Sequence, residues 1–221
     1  MGNPTLEFLE HCPNSPANAS IIWLHGLGAD GHDFMPIVKE LKLANSIAPR
    51  FILPHAPFMP ITINAGYAMR AWYDLYHPDI FSGEDAKGIR SSCSEIEKLV
   101  QQEQSRGIAA SRILLAGFSQ GGALALHTAL RFKDKLAGVI ALSCYLPLAD
   151  TLAAEIRNND VPIFMAHGMH DEVIPLRFAE LSRDKLRQVG CQVSWHTYPI
   201  THTVSDAEVS DISDWIREKL K

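Results

Sequence analysis

Residues 114–126 read Leu-Leu-Ala-Gly-Phe-Ser-Gln-Gly-Gly-Ala-Leu-Ala-Leu, and this stretch decides the fold. It begins as an apolar run typical of a buried strand and ends as an apolar run typical of a helix. Between the two runs, Gly117, Ser119 and Gly121 form the motif Gly-x-Ser-x-Gly. In a strand–turn–helix this motif makes a turn so sharp that only tiny residues fit two positions either side of the serine. We therefore expect the turn to present the Ser119 hydroxyl, a candidate nucleophile, at the carboxyl end of the sheet.

The motif also has a simpler interpretation, a glycine-rich turn that packs tightly and performs no chemistry. By composition alone the pattern arises by chance in roughly 7% of chains of this length. The motif therefore needs partners elsewhere in the chain before it indicates a function.

Composition restricts the classes of protein to consider. The chain has 221 residues, 47% of them hydrophobic, which suffices for one α/β core, so we expect a single domain spanning residues 1–221. The formal net charge of −5, with no cluster of Lys and Arg, argues against a nucleic-acid partner. No basic segment followed by an apolar run opens the sequence, and no apolar run approaches about eighteen residues, so we expect neither a signal peptide nor stable membrane insertion. The four cysteines lack CxxC spacing, which favours free thiols and a cytoplasmic location.

Strand-like and helix-like segments alternate along the chain. Short apolar runs predict strands at residues 21–24, 51–53, 112–116, 139–142, 161–166 and 193–198. Helical spacing of apolar residues predicts helices around residues 34–41, 89–100, 120–132, 176–189 and 205–220, the last opening with a capping box of Ser205 and Glu208. This order predicts a mainly parallel, doubly wound sheet flanked by helices. The loop of residues 55–88 has no long periodic segment, and loops of that length are usually functional.

Two residues after later strands are candidate partners for Ser119. A serine hydroxyl is a poor nucleophile until a histidine takes its proton, and that histidine is oriented by a carboxylate. Asp171 follows the strand ending near Ala166, and His202 follows the strand ending at Tyr198. Carboxyl ends of parallel strands share one edge of the sheet, so both should lie near Ser119. Taken singly, Asp171 could merely cap the next helix and His202 could be a surface histidine.

The glycine-rich segment after the first predicted strand offers a second hydrogen-bond donor. His25-Gly26-Leu27-Gly28 can double back so that the Leu27 N–H faces the substrate, paired with the N–H of Gln120. Two such donors stabilise an oxyanion, and losing one costs about 3–4 kcal/mol. An ordinary β–α turn is the alternative, and we expect His25 itself to bond within the loop.

The segment His167-x-x-His170-Asp171 has an alternative interpretation as a set of metal ligands. A lone pattern of this kind without a second cluster is weak evidence for a metal. We therefore expect no metal.

With these residues in hand, the chain resembles the carboxylesterase and acyl-protein thioesterase (lysophospholipase-like) family of α/β-hydrolases. The resemblance covers almost the whole chain and rests on residues 23–28, 72–74, 115–122 and 142–147, on His167-Gly168 with Asp171, and on Tyr198-Pro199 before His202. It implies a compact hydrolase without a cap domain or cofactor, a triad of Ser119, Asp171 and His202, and oxyanion donors at Leu27 and Gln120. The chain departs from the family at Thr201, where many relatives have glycine, a change that bears on the conformation of the His202 loop.

The leading hypothesis is thus a serine hydrolase of carboxylic esters or thioesters, acting on a small-molecule ester, a lipid or an acylated protein. A non-catalytic acyl-binding module and a cofactor-free α/β-hydrolase of other chemistry are the alternatives, and the sequence leaves monomer and homodimer both open. We expect an apolar substrate groove near Ser119 under the long loop. Its predicted walls are Leu27, Met59, Ile61, Trp72, Tyr145 and Val173. The alternative is that these loop side chains complete the core.

Overall fold

The computed structural model describes residues 6–77 and 83–221, so the end of the predicted loop of residues 55–88 lies partly outside the described residues. Seven strands form one sheet: β1 (Phe8–His11), β2 (Ala19–Leu24), β3 (Pro49–Pro54), β6 (Ile113–Phe118), β7 (Gly138–Leu142), β8 (Ile163–Gly168) and β9 (Val193–Tyr198). Their order across the sheet is β1-β3-β2-β6-β7-β8-β9. All neighbouring strands are parallel except β1, which pairs antiparallel with β3. The predicted mainly parallel sheet is confirmed.

Helices cover both faces of the sheet. They are α1 (Met35–Glu40), α2 (Ala86–Ser105), α3 (Gln120–Arg131), α4 (Leu152–Glu155), α5 (Leu176–Gln188) and α6 (Asp206–Lys219). All six predicted strands and five predicted helices are present, with ends displaced by at most a few residues, as expected because helix ends fray. None of the described helices is both long enough and apolar enough to cross a bilayer.

Side chains alternate along the central strands, so they pack into two separate cores, one on each face of the sheet. On β6, Ile113 and Leu115 pack in one core while Leu114 and Ala116 pack in the other. The first core, which we call the α3 face, is filled by α2, α3 and α5, and the second, the α6 face, by α1 and α6. Each fully buried Leu or Ile stabilises the fold by about 1.5–3 kcal/mol, so both faces of the sheet must be covered.

Four of the elements named here were not predicted: β1, β4, β5 and α4. Strand β1 is a four-residue edge strand without regular alternation, and α4 is a single helical turn. The loop of residues 55–88 contains an antiparallel hairpin of β4 (Phe58–Ile61) and β5 (Tyr67–Arg70), which pair only with each other. Ile61 is the one buried residue among the eight of this hairpin, so the apolar alternation that predicts a half-buried strand is weak.

The parallel strands bring four loops to one edge. The segments after β2, β6, β8 and β9 carry Leu27, Ser119, Asp171 and His202, respectively. Because these strands run in the same direction, their carboxyl ends meet at the same edge, as the rule for open α/β sheets requires.

Only half of the predicted capping box is present at the start of α6. The Ser205 hydroxyl accepts a hydrogen bond from the Glu208 N–H at 3.3 Å. The Glu208 side chain does not return the bond: it is fully buried, and neither carboxylate oxygen has a hydrogen-bond partner among the described residues. Burial raises the pKa of Glu208 to about 7, and the nearby Asp211 carboxylate adds to the rise.

We predict that Glu208→Gln stabilises the protein at alkaline pH. A carboxyl whose pKa is higher in the folded than in the unfolded state stabilises the fold below its unfolded pKa, and the contribution is lost as the pH rises through about 7. At pH 8 the variant should gain up to about 3 kcal/mol of unfolding free energy over the natural chain, with a much smaller difference at pH 4. Urea denaturation at both pH values measures this. An equal difference at the two pH values would contradict it.

Candidate active site

The sharp turn after β6 has the geometry that the Gly-x-Ser-x-Gly motif predicts. Ser119 has φ 54° and ψ −122°, a left-handed conformation that costs a non-glycine residue about 1–3 kcal/mol. The Ser119 N–H donates to the Leu142 carbonyl at 2.8 Å, and its own carbonyl accepts from the Ala123 N–H at 3.0 Å, so both sides of the strained residue are anchored. A Cβ on Gly117 would collide with the backbone of Gly121, which is the reason glycine stands there.

His202 and Asp171 lie together as predicted. The Nδ1–H of His202 donates to Oδ2 of Asp171 at 2.7 Å. The other carboxylate oxygen, Oδ1, accepts from the N–H groups of Val173 and Ile174 at 2.9 and 2.8 Å. Asp171 thus stabilises the turn after β8 and also contacts the His202 ring. It does not cap the next helix, because the N-cap of α5 is Pro175, which has no side-chain capping bond.

The carboxylate of Asp171 is held in its charged form. Its burial opposes ionisation, but the hydrogen bonds from His202 and Ile174 outweigh that effect and lower its pKa below the usual value. An ionised carboxylate only accepts hydrogen bonds, so the proton of the shared bond sits on Nδ1. The Nε2 atom of His202 is then the basic nitrogen.

The candidate site lies at one cavity of about 550 Å³. Ser119 and His202 both line it, and the His202 ring packs against Phe118 with centroids 4.7 Å apart. Thr201, the departure from the family pattern, is exposed and is not among the residues with positive φ. The loop therefore carries a threonine before His202 without the left-handed backbone that favours glycine.

The predicted oxyanion donors, Leu27 and Gln120, line the same cavity. Gln120 is the first residue of α3, and the first N–H groups of a helix have no carbonyl of their own helix to bond. Leu27 is flanked by Gly26, which lines the cavity, and by Gly28, whose φ of 78° is one that other residues rarely adopt. The Gly28 N–H donates to the Arg70 carbonyl at 2.8 Å, which ties this loop to β5.

His25 stiffens the loop that carries Leu27. Its Nδ1–H donates to the Gly26 carbonyl at 2.7 Å, and its Nε2 accepts from the Ala56 N–H at 3.0 Å. Burial lowers the pKa of His25 to about 4, so the ring is neutral at physiological pH and keeps this donor–acceptor pattern.

A network that the sequence does not reveal links the two oxyanion segments. The Gln120 side chain accepts from the Trp72 N–H at 2.8 Å and donates to the Tyr73 carbonyl at 2.7 Å. The Trp72 indole N–H in turn donates to the His25 carbonyl at 2.8 Å. Through Trp72, the loop of residues 71–76 fixes the turn after β2 to the start of α3.

Three of the residues predicted to line the groove do not line this cavity. Ile61 and Trp72 are buried, with 0 and 2% of their surface exposed, and Met59 is half-buried on the hairpin opposite Met69. The predicted lining role is corrected for Met59, Ile61 and Trp72, because the hairpin pairs with itself and Trp72 is committed to its hydrogen bonds. Leu27, Tyr145 and Val173 do line the cavity.

Several other residues line the cavity without having been singled out by a sequence pattern. They are Asp33, Phe34, Ile63, Tyr73, Leu75, His77, Phe118 and Ile174. Tyr73 pairs its hydroxyl with that of Tyr145 at 3.0 Å, and both rings are buried. The sequence signal for these residues is that Tyr73 and Phe118 lie within matched segments and that Leu75 directly follows one.

His167, His170 and Asp171 do not form a group of three possible metal ligands among the described residues. Nε2 of His167 lies 3.3 Å from Oδ2 of Asp171, but it donates to the Ile174 carbonyl at 2.7 Å, and His170 is exposed. Within residues 6–77 and 83–221, one group of three possible ligands comes together: Asp30, His32 and His55. The Gly31 N–H donates to Nδ1 of His55 at 3.1 Å, so the ring's proton is on Nε2, which cannot then act as a ligand.

We predict that Trp72→Phe lowers kcat about fivefold, because it removes the indole bond that positions the Leu27 loop while retaining most of the buried volume. Trp215→Phe is the matched control, since the Trp215 indole N–H is buried on α6 without a partner among the described residues. Steady-state kinetics of both variants on one substrate, with their Tm values, checks this. Equal losses of kcat in the two variants would mean that the Trp72 bond only stabilises the fold.

The comparisons with known proteins agree with this architecture. A sequence profile of the phospholipase/carboxylesterase family matches residues 8–220. An acyl-protein thioesterase 1 of Neurospora crassa is 40% identical over 91% of this chain and 87% of its own, and one of Yarrowia lipolytica is 37% identical over 92% of each.

Solved structures share the fold. The Zea mays acyl-protein thioesterase 2 superposes with a TM-score of 0.87 at 25% identity, covering 97% of this chain and 99% of its own. Arabidopsis thaliana SOBER1 gives 0.88 at 28% identity, covering 93% of this chain and 100% of its own. The protein is thus a hydrolase of the α/β-hydrolase fold, as predicted, and the chain belongs to the phospholipase/carboxylesterase family.

Proposed function

We propose that this protein is a cofactor-independent serine hydrolase that cleaves carboxylic esters and thioesters through an acyl-enzyme on Ser119. The observation that carries the proposal is the bond between His202 and the buried Asp171 beside the cavity that Ser119 lines. A strained, presented serine with an oriented imidazole in the same cavity is the arrangement that activates a hydroxyl.

In the first half of the reaction, Oγ of Ser119 attacks the acyl carbon and its proton passes to Nε2 of His202. The N–H groups of Leu27 and Gln120 stabilise the negative oxygen of the tetrahedral intermediate. The intermediate collapses, the bond to the leaving sulfur or oxygen breaks, and His202 returns the proton to that atom. A water then repeats the sequence on the acyl-enzyme, which releases the acid and restores Ser119.

The cavity divides into two walls that belong to opposite faces of the sheet. Tyr73 and Tyr145 pack in the core of the α3 face, whereas Phe34 and Phe118 pack in the core of the α6 face. His202 contacts Phe118 and so belongs to the second wall. Because His202 must reach the leaving atom, the leaving group lies along Phe34 and Phe118.

The acyl chain then lies along the other wall, which we call the acyl wall. Its members are Tyr73, Leu75, Tyr145 and Ile174, with Ile63 and the exposed Val173 at its edge. These side chains are apolar apart from the paired tyrosine hydroxyls, so a hydrocarbon chain fits. The names of the relatives, acyl-protein thioesterases, favour an acylated protein as one substrate class.

The proposal includes a reducing, cytoplasmic compartment. All four cysteines are free thiols, and three of them are buried. Free thiols are the rule where glutathione and thioredoxin are active.

We predict that a fluorophosphonate probe labels the protein once, at Ser119. Ser119→Ala should abolish labelling, and His202→Ala should lower turnover by several orders of magnitude while leaving the serine in place. Mass spectrometry of the labelled peptide locates the site. Full labelling of Ser119→Ala would place the nucleophile elsewhere, and labelling without turnover on any ester or thioester would favour a binding module or other chemistry.

We predict that kcat/KM rises about twofold per methylene from acetyl to octanoyl thioesters. Full burial of a methylene gives about 0.8 kcal/mol, and an open wall buries only part of each one. Tyr145→Ala should flatten this climb, whereas Tyr145→Phe, which keeps the ring and removes only the hydroxyl, should preserve it. The slope of log kcat/KM against chain length is the measurement. A series that falls from acetyl onward would contradict the acyl wall.

A further inference from the structure

The wall that faces the leaving group differs in chemistry from the acyl wall. It presents the rings of Phe34 and Phe118, with centroids 6.0 Å apart, next to His202. It also presents Asp33, the one Asp, Glu, Lys or Arg among the described residues that line this cavity. We call Asp33, Phe34 and Phe118 the leaving-group wall.

Aromatic rings and a carboxylate that line one cavity are a combination found in sites that bind cations. A ring attracts an ammonium group through its negative face, and quaternary ammonium ligands are recognised in this way. The two rings are fixed in place: Phe34 is stacked on Trp23 at 5.6 Å, and Phe118 is held between Phe34 and His202. An uncharged leaving group would need the rings but not the carboxylate.

The Asp33 carboxylate makes one structural hydrogen bond and can accept further hydrogen bonds from a ligand. One carboxylate oxygen accepts from the Asp30 N–H at 2.7 Å, which fixes the side chain at the short helical turn of Gly31–Phe34. Ionised carboxylates can accept about four hydrogen bonds, so that bond leaves most of the group's capacity unused. Asp33 is exposed and also lines an adjoining cavity of about 340 Å³, so the wall is open to solvent and to a bulky leaving group.

Arg70, the one Lys or Arg among the described residues that line the adjoining cavity, is committed to other groups. It lines the adjoining cavity, but its guanidinium donates to the Ala56 carbonyl at 2.8 Å and lies over the Phe58 ring at 4.8 Å. The net charge of −5 adds a general attraction for cations.

We propose that Asp33, Phe34 and Phe118 form a subsite for a positively charged leaving group, so that the preferred substrates release a thiol or alcohol that carries an ammonium or guanidinium group close to the scissile bond. This inference rests on the proposed serine hydrolase function. The shared chemistry is the cation, which a small ammonium ester or a basic residue beside an acylated cysteine would both supply.

The test compares S-octanoylthiocholine with its neutral isostere S-(3,3-dimethylbutyl) octanethioate, in which carbon replaces the charged nitrogen. The charged substrate should have a kcat/KM about five- to tenfold higher, because an exposed charge pair and cation–π contacts both stabilise its binding. In Asp33→Asn this ratio should fall to about twofold, the share of the rings alone. The amide oxygen of the variant can still accept from the Asp30 N–H.

Asp30→Asn is the matched control, because it removes the same charge from a residue three positions earlier that lines the adjoining cavity but not the catalytic cavity. It should leave the ratio near that of the natural chain. A loss of preference equal to that of Asp33→Asn would show a general field and overturn the subsite. Raising the salt concentration to about 1 M should reduce the preference of the natural chain, because it screens exposed charges.

A second arm uses octanoylated peptides that differ only in Lys or Gln beside the acylated cysteine. A preference for Lys that disappears in Asp33→Asn assigns the subsite to basic peptides, whereas a preference in the thiocholine pair alone assigns it to small ammonium leaving groups. Equal rates within both pairs, in a protein that hydrolyses all four substrates, would overturn the inference and leave the proposed function intact. Failure to hydrolyse any of them would instead contradict the proposed function.

Discussion

The strained backbone at Ser119 is the constraint on which the rest of the structure depends. A left-handed serine is tolerated only where the surrounding contacts fix it. Here the two backbone bonds to Leu142 and Ala123 hold it, and Gly121 lets α3 approach β2 so closely that a Cβ would meet the Leu24 carbonyl. The same close approach brings the turn after β2, with Leu27, beside the first N–H groups of α3. The strain at Ser119 and the proximity of the two proposed oxyanion donors therefore have the same structural cause.

Hydrogen bonds from neutral groups hold this arrangement together. His25 uses both ring nitrogens within its surroundings, and its lowered pKa keeps it uncharged. The Gln120 amide and the Trp72 indole complete a path from α3 to the loop after β2 without a charge. Neutral donors and acceptors are suited to this position, because a buried charge near the oxyanion would incur a desolvation penalty and perturb the field that stabilises it. The charge that the mechanism needs is confined to Asp171, where three hydrogen bonds stabilise it.

The two faces of the sheet give the cavity two chemically different sides. Side chains alternate along β6, so the edge at which Ser119 stands separates the two cores. The acyl wall extends one core and the leaving-group wall extends the other. In the proposed reaction, a substrate that spans the edge has its scissile carbonyl at Ser119, and this arrangement follows from strand geometry rather than from any single residue.

The sequence by itself determined the main alternation of strands and helices and the turn at Ser119, and it predicted Asp171 and His202 as partners of that serine, because each depends on local patterns of apolar residues and on short motifs at strand ends. Parallel strands then oblige those ends to meet, so the candidate triad needed no further information. Only the tertiary structure decided what lines the cavity. Ile61 and Trp72 are apolar residues of the long loop that were predicted, like Tyr145, to line the groove, yet they are buried and outside the cavity lining. The hairpin of β4 and β5, the contacts of Gln120 with Trp72, and the position of Asp33 beside Phe118 join residues far apart in the chain. These long-range contacts arise from the way the loop folds over the edge of the sheet, and no local periodicity in the sequence predicts that fold.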